Sequence, residues 1–83
     1  MSKKALVVMQ WSDPDYPEAA NIDLHEKGLF GKGRLLWHET FWPKKGPSSY
    51  IQARTRVAHW AEQNDYEIVG EENYLGDVDL DSV

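Results

Sequence analysis

Aromatic and basic residues interleave in the middle of the chain, between residues 27 and 45. Aromatic rings stack on unpaired bases and cationic side chains neutralise phosphates, so this composition is typical of surfaces that bind single-stranded nucleic acid. The same rings would equally serve as the core of so small a domain, with the cations at its flanks. If the segment binds nucleic acid, we expect the contacts to come from Lys32, Arg34, Trp37, Trp42, Lys44 and Lys45.

The chain is strongly acidic from Glu62 to Val83, where eight Asp and Glu residues occur without a Lys or Arg. The net charge of the whole chain is −5. Charge complementarity speeds association and selects partners, and an acidic surface can occupy a basic nucleic-acid groove by imitating phosphate. We therefore expect a protein-binding surface that combines acidic residues with an exposed aromatic, namely Glu71, Glu72, Asp77, Asp79, Asp81 and Trp42.

Residue patterns for nucleophilic catalysis or metal binding are not found. The serines lie in turn-forming or terminal stretches and none has the setting of a nucleophile motif. The histidines, His25, His38 and His59, are spaced too irregularly for a metal-ligand motif. The run Asp77-x-Asp79-x-Asp81 begins like a calcium loop, but Ser82 stands where that loop needs glycine. We expect no enzyme activity, no cofactor and no metal site.

The chain contains no cysteine, which excludes disulfides, thiolate zinc sites and a Cys nucleophile. No apolar run approaches the roughly 20 residues of a membrane-spanning helix, and the run from Ala5 to Met9 is too short for the core of a signal peptide. We expect a soluble, cytoplasmic protein with no membrane partner. Its 83 residues are enough for one small globular domain, residues 1–83.

The elements that would position these residues can be read from local patterns. Residues 4–11 are rich in strand formers and predict a central strand, and Pro14 and Pro17 predict a loop after it. Residues 21–30 predict at most a short strand that Gly28 interrupts. Glycines on both sides of Lys32 predict a hairpin turn, which a strand over 34–42 follows.

The helix is the clearest element of the second half of the chain. Ser48 or Ser49 is a candidate N-cap, and residues 50–64 contain no Gly or Pro. A strand over 66–71 follows, and residues 73–83 form an acidic segment that we expect to make a short edge strand or to fray. The apolar positions of the helix form one stripe, made of Tyr50, Ala53, Val57, Trp60 and Ala61.

One amphipathic helix packed on a three- to four-stranded, mainly antiparallel sheet is the simplest way to bury these faces, so the predicted fold class is α+β. We expect a non-catalytic interaction protein, an adaptor or inhibitor, whose acidic surface and exposed aromatics bind a larger protein, for example one that handles nucleic acid. The alternative is a single-stranded nucleic-acid-binding module that uses residues 27–45. A homodimer is compatible with either function.

Overall fold

The computed structural model describes residues 2–76 of the chain. They form four strands, one short 3-10 turn and one long helix, and the α+β class predicted from the sequence is confirmed. The elements are β1 (Lys3–Trp11), β2 (Ala20–Gly28), β3 (Gly31–Phe41), the 3-10 turn (Pro43–Lys45), α1 (Pro47–Gln63) and β4 (Tyr66–Asn73).

The four strands make one sheet in the order β3-β2-β1-β4. Strand β1 is central, as its apolar run predicts, and pairs antiparallel with β2 and parallel with β4. Strand β2 pairs antiparallel with β3. The sheet is thus mainly antiparallel, as expected, and the parallel pair is a detail that the sequence does not predict.

Helix α1 packs across one face of this sheet and closes the core. Its buried positions are Ala53, Val57 and Ala61, which belong to the stripe predicted from the sequence. Two of these three residues are alanines, whose small side chains let the helix approach the strands closely. The helix ends at Gln63, and Asp65 takes a left-handed conformation (φ 62°) where the chain turns into β4.

The start of the helix differs from the prediction. Gly46 is the N-cap and Pro47 occupies the first turn, where proline fits because its missing N–H would have no helical partner. Ser49 lies inside the helix, and its hydroxyl bonds to the backbone of Trp42. Neither Ser48 nor Ser49 is therefore the cap.

The core lies between the sheet and α1 and is made of small and branched residues. Val7, Ile22, Leu24 and Phe41 are fully buried. The ring of Phe41 meets the ring of Tyr50 edge to face, with centroids 5.3 Å apart. Burial of these side chains supplies most of the stability available to a domain of this size.

The prediction for residues 21–33 is wrong in two respects. Strand β2 is continuous over Ala20–Gly28 rather than short and interrupted, because the pairing with β1 on one side and β3 on the other outweighs its mixed composition. The hairpin turn is formed by Leu29 and Phe30, and the glycines that flank Lys32 are part of β3.

Strand β3 has 11 residues where its partner β2 has 9, and two register shifts absorb the difference. One shift lies between the pair Leu24–Trp37 and the pair His25–Leu35. Leu36 therefore has no partner in β2 and is the extra residue. Leu36 packs on the core while Leu35 is half exposed. This β-bulge places Leu35 and Trp37 on opposite faces of the sheet, although they are two residues apart in the strand.

No helix among residues 2–76 is long and apolar enough to cross a membrane. The last strand runs to Asn73, two residues beyond the predicted strand. Of the predicted acidic segment 73–83, only residues 73–76 are described, and Asp77, Asp79 and Asp81 lie outside the described residues.

Replacing Phe41 by alanine should lower the free energy of unfolding by about 3–5 kcal/mol, because it empties a fully buried site. The matched control is Leu35→Ala in the same strand, where the side chain is 52% exposed and the expected loss is below about 1 kcal/mol. Urea denaturation of the two variants measures both values. Equal losses would contradict the assignment of the two faces of β3.

Candidate functional site

The direction of each strand divides the molecule into two ends of different chemistry. Strands β1, β3 and β4 run in one direction and β2 runs in the other. We call the half of the molecule towards which β1, β3 and β4 run the acidic end, and define it as residues 12–19, 42–46 and 71–76. Within it, Glu71 and Glu72 lie beside Val7 and Val8 in the middle of β1. The opposite end, defined as residues 2–4, 26–34 and 62–67, is called the basic end.

The acidic end carries five carboxylates against two lysines among the described residues. All five carboxylate residues are exposed. Three large aromatic side chains accompany them, with exposed fractions of 73% for Tyr16, 43% for Trp42 and 61% for Tyr74. The charged residues are Asp13, Asp15, Glu18, Glu71 and Glu72, with Lys44 and Lys45.

The loop between β1 and β2 is held in shape by its own hydrogen bonds. The Ser12 N–H donates to the Ala19 carbonyl at 2.9 Å and closes the base of the loop. The Asp13 carboxylate accepts from the Asp15 N–H at 3.0 Å, which is the local turn that aspartate favours. The backbone carbonyl of Asp13 accepts from the Tyr16 N–H. Tyr16 is thereby presented from a fixed backbone.

Trp42 is fixed by the first turn of α1. The Ser49 hydroxyl accepts from the Trp42 N–H at 3.1 Å and donates to the Trp42 carbonyl at 3.0 Å. The Lys45 ammonium lies 5.6 Å from the centroid of the Trp42 ring. A small cavity of about 210 Å³ is lined by Glu18, Trp42, Lys44 and Lys45, and it opens between the β1–β2 loop and the 3-10 turn.

The backbone around the exposed Tyr74, directly after β4, is held by hydrogen bonds and by the burial of the next residue. The Tyr74 N–H donates to the Met9 carbonyl at 2.8 Å, and the next residue, Leu75, is buried in the core. The Asn73 side chain accepts from the Leu75 N–H at 2.8 Å. Glu71 and Glu72 precede this anchor in the edge strand, opposite Val7 and Val8 of β1.

A second feature is a groove of about 450 Å³ between β3 and α1. Its floor is made by Trp37 and Trp60, whose rings stack with centroids 5.7 Å apart. Trp60 stacks in turn on Tyr66 at 5.9 Å. At the rim, Glu39 accepts hydrogen bonds from the Trp37 indole at 2.9 Å and from Arg56 at 2.5 Å.

A more polar cavity of about 420 Å³ lies on the other side of Trp60. Lys3 and Arg34 are among its lining residues. Arg34 pairs with Glu26 at 3.2 Å, and the hydrogen bond with the Tyr66 hydroxyl, followed by the charge of Glu26, raises the pKa of the Arg34 guanidinium. The carboxylates of Glu39 and Glu26 pair with the arginines of the two cavities, and the Lys3 ammonium lies 5.5 Å from the centroid of the Tyr66 ring.

The sheet face opposite α1 carries a polar network. Asp23 is 9% exposed and accepts from the Gln10 side chain at 2.9 Å. His38 is the cross-strand partner of Asp23, and His25 is the cross-strand partner of Leu35. His59 lies at the groove beside α1. No group of three potential metal ligands occurs within residues 2–76.

The structure separates the residues of the nucleic-acid hypothesis. Lys32 and Arg34 lie at the basic end, whereas Trp42 and the two lysines that follow it lie at the acidic end. The intervening part of β3 is about 25–30 Å long. Trp37 stacks on Trp60 within the groove.

The residues of the protein-binding hypothesis are closer together. Glu71 and Glu72 lie three strand spacings from β3, or about 14 Å. Because Glu72 is opposite Val8 whereas Phe41 is level with Trp11, Trp42 lies about four residues further along the strands, which makes the separation from Glu72 about 20 Å. The sequence reasoning missed the aromatic side chains of Tyr16 and Tyr74 and the acids of the β1–β2 loop. The prolines of residues 12–19 predict a loop. Only the parallel pairing of β4 with β1 brings Tyr74 close to that loop, since the Tyr74 N–H donates to Met9 near the end of β1.

No protein-family model, curated protein or solved structure matches this chain.

The carboxylate of Glu39 is largely buried, with 17% of its side chain exposed, so Glu39→Gln should lower the free energy of unfolding by about 1–2 kcal/mol. The matched control is Glu26→Gln, in an ion pair whose side chains are 74% and 43% exposed, where we expect a loss below about 0.5 kcal/mol. Chemical denaturation measures both. An equal loss in the two variants would show that Glu39 does not organise the groove.

Proposed function

We propose that this protein is a non-catalytic interaction module of the cytoplasm whose acidic end binds a basic surface on a larger protein. The observation that carries this proposal is the grouping of five exposed carboxylates and three exposed aromatic side chains at one end of the sheet. A partner that handles nucleic acid fits best, because its phosphate-binding groove is basic. The module would act as an adaptor or as an inhibitor of that partner.

The charges of the acidic end favour a protein partner over nucleic acid. The excess of carboxylates would repel phosphate, and the two lysines of this end line one cavity together with Glu18. A basic protein surface would instead be attracted, which raises the association rate and selects against acidic partners.

The aromatic residues supply what charge alone does not. Tyrosine and tryptophan contribute large contact areas with few rotatable bonds, and they are the residue types that dominate binding energy at interfaces. Tyr16, Trp42 and Tyr74 all emerge from backbone that internal hydrogen bonds hold in place. Little conformational entropy would therefore be lost when they bind.

The experiment is affinity capture with the full chain as bait, with bound proteins quantified by mass spectrometry at low and at moderate salt. In the test variant, Glu71→Gln and Glu72→Gln are combined with Trp42→Ala. We expect a set of proteins with basic surfaces to bind the wild type and to lose about tenfold or more of their binding to the variant. Adding a nucleic acid ligand of the captured protein should release the bait.

A matched control removes the same number of carboxylates from the other end, as Glu62→Gln with Glu67→Gln, and should retain the captured set. Each replaced side chain is at least partly exposed, so we expect all variants to fold. Thermal unfolding of each variant verifies this. The proposal fails if the test variant captures the same proteins as the wild type at the same level.

A further inference from the structure

Leu29 and Phe30 form the tip of the β2–β3 hairpin and are almost completely exposed. Their exposed fractions are 95% and 102%, the largest of any large apolar side chains described. They are neighbours in sequence and project together from the basic end of a molecule that is 38 Å long. Two adjacent apolar side chains in water give a folded domain no packing energy.

The backbone of the turn does not require these residue types. Gly28 and Gly31 pair on either side of the turn, and the positive φ that the turn needs (121°) is taken by Gly31. Asn, Asp, Gly, Ser and Pro are the residues that stabilise turns of this kind. Leucine and phenylalanine therefore point to a contact outside the molecule.

Positive charge lies directly behind the tip. Lys27 and Lys32 face each other across the hairpin and are both exposed. Like charges in this position repel each other, and an anionic surface would remove the repulsion. Of the acidic groups at this end, Glu26 pairs with Arg34, whereas Glu62, Asp65 and Glu67 belong to α1, the turn after it and β4. Strand β4 is two strand spacings, or about 10 Å, from the hairpin strand β2.

We propose that the hairpin tip docks on an anionic lipid surface, with Leu29 and Phe30 in the interfacial layer and Lys27 and Lys32 at the level of the headgroups. An apolar pair on a convex tip, followed by cations, matches the layering of a bilayer surface, where apolar side chains lie deeper than charged ones. This is a surface contact, which requires no membrane-spanning helix. It departs from the expectation of no membrane partner, which rested only on the length of apolar sequence needed to span a bilayer.

The other classes of partner fit these observations less well. Nucleic acid would use the ring of Phe30 for stacking and leave Leu29 without a purpose. Repulsion between the lipid and the acids of the β1–β2 loop is screened, because the nine residues of β2, about 30 Å, separate that loop from the tip and the Debye length is about 8 Å. The acidic end would remain free for its protein partner while the hairpin tip is bound.

The test is flotation of the full chain with two kinds of vesicle, one of phosphatidylcholine alone and one in which phosphatidylglycerol replaces about a third of the lipid. We expect binding to the second kind only, and weaker binding as salt is raised. Leu29→Ser with Phe30→Ser should weaken that binding about tenfold or more. Lys27→Gln with Lys32→Gln should weaken it about fivefold or more.

The matched control is Tyr74→Ser, which removes an exposed aromatic from the acidic end and should leave flotation unchanged. Because the chain has no cysteine, a single Leu29→Cys substitution carries an environment-sensitive dye at the tip, whose emission should shift to the blue on vesicles. Absence of flotation with phosphatidylglycerol, or flotation that survives Leu29→Ser with Phe30→Ser, overturns the proposal. Binding to a single-stranded oligonucleotide that depends on the lysines alone, without vesicle binding, also overturns it.

Discussion

Helix α1 carries the chain back along the full length of the sheet. The position of β4, and with it the distribution of charge between the two ends, depends on this connection. A helix of 17 residues is about 25 Å long, which is close to the length of the strands beneath it. It carries the chain from the end of β3 to the opposite end of the molecule, so β4 runs parallel to β1. If the helix were half as long, β4 could not start beside Lys3, and Tyr74 would not lie near the end of β1.

That single geometric fact separates charges that are mixed along the chain. The acids of the β1–β2 loop and those of β4 are more than 50 residues apart in sequence, yet they lie at one end of the sheet. The other end combines the lysines of the N-terminus and of the β2–β3 hairpin with Glu62, Asp65 and Glu67, so its charges nearly balance. The excess of negative charge among the described residues is therefore concentrated at the acidic end, which the net charge of −5 does not describe.

The sequence predicts the individual helix and strands better than it predicts which strands pair and in which register. The stripe of α1 and the strand nature of β1 are local patterns, so they could be recognised from the chain alone. The bulge at Leu36 and the continuous pairing of β2 arise from contacts between strands, which no local pattern encodes. Glu71, Glu72 and Trp42 could be named as candidates from charge and residue type, but their grouping with Tyr16 and Tyr74 requires the fold.

The proposed function requires that the partner is a protein and that the chain does not bind nucleic acid directly. Titration of the intrinsic tryptophan fluorescence with single-stranded and duplex oligonucleotides at low salt tests it most directly, because electrostatic binding to phosphate is strongest there. We predict no change in the emission of the four tryptophans, Trp11, Trp37, Trp42 and Trp60. Quenching that weakens steeply as salt is raised would contradict the account and would make the segment between residues 27 and 45 the binding site.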